Sequence, residues 1–127
     1  MVELRTLTER DILALRGPRN AVDPSRPYLW FTEPERTAEG RIEEVAAIFL
    51  TNKECPFRCV FCDLWKNTTE ERVPPGAVVG QVEFALAQSS GARHVKLYNS
   101  GNFFADKAVS RRARLRIRAV LSGFRTV

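Results

Sequence analysis

All three cysteines of this 127-residue chain fall within eight positions, Cys55, Cys59 and Cys62, spaced C-x3-C-x2-C. Thiolates that close along the chain can converge on one soft metal centre with little help from the fold. Three cysteines cannot all pair as disulfides, and Cys59 and Cys62 are too near in sequence for a usual structural bridge. Three thiolates without a fourth is the pattern expected of a cubane iron–sulfur cluster with one iron open to an exchangeable ligand. Three other readings use the same residues, one of them being three unrelated buried cysteines. A zinc site would need a fourth ligand, and the single histidine, His94, lies far along the chain. A redox pair at Cys59 and Cys62 would leave Cys55 without a role.

What precedes the cysteines decides where they sit. Val45-Ala46-Ala47-Ile48-Phe49-Leu50 is a continuous apolar run, bounded by acids before it and Thr51-Asn52-Lys53 after it. At that length it predicts a strand buried on both faces, as in parallel sheets. The cysteine loop follows at the strand's carboxyl end, where α/β folds place their chemistry. Downstream, Val78, Val82, Ala85, Leu86 and Ser89 recur at helical spacing within residues 76–90, and Gly91 is placed to end that helix. His94 to Tyr98 reads as a second strand, leading into a polar turn at Asn99-Ser100-Gly101-Asn102. Strand, cysteine loop, helix, strand and turn make a βαβ unit and imply an α/β fold with a parallel sheet.

The flanks are less regular. Residues 1–17 predict a short amphipathic helix, with Thr8 as N-cap, Asp11 three residues on, and Gly17-Pro18 as its stop. Residues 19–39 are rich in Pro, Asp, Glu and Arg and read as an irregular approach segment, its aromatic island Tyr28-Leu29-Trp30-Phe31 covering a core edge. This divides the chain into residues 1–44, helix and approach segment, and 45–127, the part carrying the cysteine loop. Near the other end, Arg112 to Arg118 alternates like an edge strand, yet Ala113, Ile117, Val120, Leu121 and Phe124 share one helical face. The βαβ order favours a helix ended by Gly123, then a third strand starting near Phe124. A chain that stops as a strand begins reads as truncated, or as out of its native frame beyond about residue 105.

Charge and hydropathy exclude some classes. Residues 111–127 carry six arginines and no acid, +6 against a net +5 for the whole chain, which leaves −1 for residues 1–110. The basic character belongs to the tail, so a general nucleic-acid surface is poorly supported. No apolar run nears the roughly 20 residues needed to span a bilayer, and the first residues lack the layout of a signal peptide. A cytoplasmic location follows as the expectation, and it suits free thiolates.

The segment Cys55-Pro56-Phe57-Arg58-Cys59-Val60-Phe61-Cys62, an aromatic before the last cysteine and a first strand before the loop, resembles the signature of the radical S-adenosylmethionine (radical SAM) superfamily. The resemblance covers about residues 45–104. It implies that Cys55, Cys59 and Cys62 ligate three irons of a 4Fe–4S cluster and that the amino and carboxylate groups of SAM chelate the fourth. It implies an enzyme that cleaves the sulfonium of SAM reductively to methionine and a 5′-deoxyadenosyl radical, with an electron donor of the flavodoxin or ferredoxin type as partner. Phe61 would pack near the adenine, with a plain core aromatic as the other reading. Ser100, Gly101 and Asn102 stand where the family carries a Gly-Gly-acid segment for the SAM amino group; here there is one glycine and no acid. Asp63-Leu64-Trp65 and Lys96 to Phe104 resemble the branch with elongator-type and archaeosine-type tRNA-modifying members, which makes RNA a possible substrate class. The implied fold is the N-terminal portion of a partial (β/α)6 barrel, a fold of roughly 200 residues. The competing function is a non-catalytic zinc-binding module whose basic tail binds an acidic partner.

Overall fold

The computed structural model describes residues 5–127. Its element order is α1 (Glu9–Leu15), β1 (Leu29–Arg36), β2 (Ile42–Phe49), a short 3-10 helix (Leu64–Asn67), α2 (Pro75–Ala87), β3 (His94–Tyr98) and α3 (Arg111–Val120). The sheet has the order β1-β2-β3, with β1 antiparallel and β3 parallel to the central β2. The βαβ unit expected from the sequence is therefore β2-α2-β3. Among the described residues, no helix is long and apolar enough to cross a membrane.

β2 behaves as its composition demands. Val45, Ala46, Ala47 and Ile48 are all buried, so both faces of the strand are covered. On one face Ala46, Ile48 and Leu50 meet Val95 of β3, Val78, Val79, Val82 and Ala85 of α2, and Ala113, Ile117 and Leu121 of α3. On the other face Phe49 stacks on Tyr98 at 4.5 Å between ring centroids and on Phe31 at 6.0 Å. The amino-terminal half of that face is charged: Lys96 pairs with Glu35, and His94 pairs with Glu43 at 2.5 Å.

Two expectations about the sheet and its packed helix need correction. The approach segment is not irregular throughout, because residues 29–36 form β1, paired to β2 from Leu29↔Phe49 to Arg36↔Ile42. Pro34 and three charged side chains disguise it in the sequence, and they are tolerated because β1 is an edge strand. A hairpin at Thr37–Arg41 joins it to β2, with Thr37 N–H donating to Arg41 O at 2.7 Å and Gly40 at φ +81°. The second correction concerns α2, which runs 75–87, not 76–90. Pro75 starts it at a position where the missing N–H costs nothing. Near its end the Ser89 hydroxyl donates to Ala85 O at 2.8 Å, and Gly91 takes φ +85° beyond the turn that follows.

The tail is a helix. Ser110 caps α3 by accepting from Ala113 N–H at 3.2 Å, and the face predicted from Ala113, Ile117 and Leu121 packs into the core. Gly123 is not in a left-handed conformation, and α3 ends three residues before it. Beyond it, Thr126 forms a single isolated parallel bridge with His94; the third parallel strand expected near Phe124 is not formed among the described residues. At the other end Thr8 and Asp11 make the reciprocal capping box of α1. The helix predicted over residues 1–17 is formed only at Glu9–Leu15: residues 5–8 and 16–17 are not helical, and residues 1–4 lie outside the described residues.

Candidate metal centre

The carboxyl end of β2 is held by side chains where the backbone ladder runs out. Leu50 N–H still reaches Tyr98 O at 2.8 Å. One residue later the fully buried Gln81 of α2 takes over: its Oε1 accepts from Thr51 N–H, and its Nε2 donates to Thr51 O and Pro24 O, each at 2.8 Å. Asn52, also buried, then ties this end to the turn after β3, donating to Ser100 O at 3.0 Å and accepting from Ser100 N–H at 3.3 Å. The cysteine-bearing segment is closed off at its base by Glu54 N–H donating to Thr69 O at 2.9 Å and Thr69 N–H to Asn52 O at 3.0 Å.

Within the loop, all three cysteines are free thiols, Cys55 and Cys62 half-buried and Cys59 exposed. A turn brings Cys62 N–H to Cys59 O at 3.1 Å, and Arg58 Nη1 donates to Cys55 O at 3.0 Å. Phe57, Val60 and Phe61 are exposed. Phe61, at 88% exposure, packs in no core.

Gly101 lies against the first cysteine of the loop. It sits at φ +100°, and a Cβ on it would lie 3.2 Å from Cys55 Cβ and 3.4 Å from Cys55 Sγ. Only glycine combines that backbone conformation with that proximity. A cavity of about 780 Å³ opens beside this contact, lined in part by Cys55, Pro56, Phe57, Ser100, Gly101 and Asn102. The Asn102 side-chain carbonyl accepts from Phe104 N–H at 2.9 Å, which fixes the turn and leaves a lone pair free. The structure thus brings Cys55, Ser100, Gly101 and Asn102 to one cavity. Cys62 lines a separate, smaller cleft under α1 with Ile12, Leu15 and Val60, and Cys59 and Phe61 line neither.

Among the described residues, no three His, Cys, Asp or Glu side chains are gathered around one point as a single metal ion would require. A cubane cluster asks for less, since its three thiolates bind three different irons. The chemistry of the residues present suits that group: three unpaired thiols, no fourth cysteine in the chain, and a glycine that leaves room against the first cysteine. The zinc arrangement that recruits His94 is ruled out by topology. His94 starts β3, at the opposite end of a parallel pair from the loop, and its Nε2 is engaged by Glu43.

The base of the loop also holds an ionic cluster that motif reasoning missed. The Glu54 carboxylate meets Arg16 at 2.5 Å, Arg58 at 2.7 Å, and Arg19. Burial works against its charge, but hydrogen bonds from Arg19 and Arg16 hold the carboxyl below its ordinary range. A Glu beside a cysteine motif, with arginines on both sides in sequence, was the available signal.

No protein-family model matches the chain, and no match was found among curated proteins or solved structures.

Proposed function

We propose that this chain carries the cluster-binding portion of a radical SAM enzyme, built on the first βα units of a partial (β/α)6 barrel. The observation that carries the reading is the meeting of the two turns: a C-x3-C-x2-C loop leaves the buried central strand, and Gly101, after the next parallel strand, lies against its first cysteine. Cys55, Cys59 and Cys62 would hold a 4Fe–4S cluster, with SAM completing the fourth iron. Ser100, Gly101 and Asn102 would meet the SAM amino group, and Phe61, free of the core, would close over the adenine. When bound, the cluster and SAM supply reductive sulfonium cleavage and hence a 5′-deoxyadenosyl radical. The residues of this chain orient the two groups and shield them from water and oxygen. An electron donor of the flavodoxin or ferredoxin type is the implied partner, and RNA the implied substrate class.

Anaerobic reconstitution followed by dithionite and SAM tests this reading. The chain should release 5′-deoxyadenosine, and Cys59→Ala should abolish the release. A reconstituted wild-type chain that leaves SAM intact and whose reduced-cluster spectrum does not change when SAM is added would contradict it.

A further inference from the structure

Glu54 immediately precedes the first cysteine, and its side chain is only 12% exposed. The three guanidiniums around it come from separate places: Arg16 is the C-cap of α1, Arg19 belongs to the segment after it, and Arg58 lies inside the cysteine loop. Each has a further contact. Arg58 donates to Cys55 O at 3.0 Å. Arg19 donates to Trp65 O at 3.0 Å and to Thr68 Oγ1 at 2.5 Å. Arg16 lies over the Trp65 ring, 4.8 Å from its centroid. One carboxylate therefore links the start of the loop, at Cys55, to the segment that ends it, at Trp65–Thr68.

Arginine stays charged in any folded protein, so one carboxylate among three guanidiniums leaves a surplus of +2 beside the cysteines. The nearest other acids, Glu9 at 3.6 Å from Arg58 and Glu70 at 4.0 Å from Arg19, are both exposed, and solvent and salt screen them. A poorly solvated ion cluster is a weak source of net stability, because desolvation offsets most of its attraction. Its value lies in fixed geometry and in its local field. A cluster held by three thiolates is anionic and gains negative charge on reduction, and a positive neighbour favours that step.

We infer that Glu54 and its three arginines are positioning residues for the cysteine loop, and that their surplus positive charge raises the reduction potential of the cluster that the loop holds. The inference rests on the iron–sulfur reading above.

Two charge-changing variants test it with opposite signs. Glu54→Gln raises the surplus to +3, and Arg58→Gln lowers it to +1. In an EPR-monitored titration of the reconstituted chain, the midpoint potential should rise in the first and fall in the second. A purely structural role would not split the two. In the metal-free chain, hydrogen exchange at the amides of residues 55–62 should speed up about tenfold or more in both variants, the equivalent of a lost charge-assisted hydrogen bond. The amides of α2 should keep wild-type rates. Unchanged potentials, or shifts in the same direction, would overturn the field argument; unchanged loop exchange would overturn the positioning argument. Should Glu54→Gln not fold, Arg58→Gln decides by the same two readings, since it leaves Glu54 two guanidiniums. A wild-type chain that takes up no iron and sulfide refutes the iron–sulfur reading instead, and loop exchange then decides the positioning role on its own.

Discussion

Two carboxylates, one at each end of the sheet, are built alike and serve different ends. Glu43 at the amino end meets Arg41 at 3.4 Å, His94 at 2.5 Å and Arg125 at 3.0 Å; Glu54 at the carboxyl end meets Arg16, Arg19 and Arg58. Their side chains are almost equally covered, at 11% and 12% exposure. The surroundings differ. Arg41, Glu43 and His94 lie in or beside a hydrogen-bonded ladder that fixes their geometry whether or not the charges meet. Arg19 and Arg58 lie on segments without regular structure, and Arg16 sits just past α1, none of whose residues is buried. At one end the ions decorate a framework; at the other they are much of the framework. Where the ladder stops, side chains must take over the backbone's work, and that is also where the cysteines are.

The largest effect should come from removing the side chain that carries this handover. Gln81→Met keeps much of the shape but leaves Thr51 N–H, Thr51 O and Pro24 O without partners. Each unpaired buried group costs about 1–3 kcal/mol, and the two on Thr51 are buried while Pro24 O can turn to water, so thermal unfolding should show a loss of about 2 kcal/mol or more. A loss below about 1 kcal/mol would mean that water or backbone rearrangement replaces Gln81 easily.

Next comes Gly101→Ala, which forces a Cβ against Cys55 at a positive φ. Strain of this kind costs about 1–3 kcal/mol. Because the clash is with the first cysteine, iron retention after reconstitution should fall further than thermal stability does. A variant that binds iron like the wild type would separate the two turns functionally.

Acid should act on the amino end in a defined sense. Hydrogen bonding to His94, opposed by burial and aided by Arg125 and Arg41, holds the Glu43 carboxyl below its usual value. Its ionised form is therefore favoured in the folded state. The attachment of residues 125–127 should be intact above the ordinary carboxylate range and loosen as the pH falls through the depressed native value. The reporters are Val95 N–H, which donates to Thr126 O, and Arg125 N–H, which donates to Arg93 O. Their hydrogen exchange, corrected for the intrinsic pH dependence, should show the change. Protection that does not vary with pH would show that the ladder alone holds the segment.

The smallest stability effect belongs to Phe61→Ala. A side chain exposed at 88% should change stability by less than about 0.5 kcal/mol, while SAM affinity measured on the reconstituted chain should weaken. A large drop in stability would return Phe61 to a packing role.

Much of the central unit was legible from residues alone. The apolar run at residues 45–50, the helical spacing of Val78, Val82 and Ala85, and the alternation at 94–98 each report local periodicity that burial on a sheet or helix imposes. β3 falls at the residues expected, and β2 starts three residues earlier than the apolar run. β1 was hidden because an edge strand tolerates Pro34, Glu33 and Glu35, which erase the usual strand composition. Asn52 and Gln81 escaped notice for a related reason: a polar side chain buried to satisfy a strand end carries no period. The motif itself marked the cysteines, but the Glu54 cluster assembles arginines from both sides of the loop, which only the folded chain brings together.

The central claim is that three thiols and the facing Gly101 turn make an iron–sulfur site. Iron, sulfide and zinc content after anaerobic reconstitution tests it most directly. The account predicts a brown protein with about four irons and four sulfides per chain, reduced to background by Cys55→Ala, Cys59→Ala or Cys62→Ala. A colourless protein that holds one tight zinc and takes up no sulfide would contradict it.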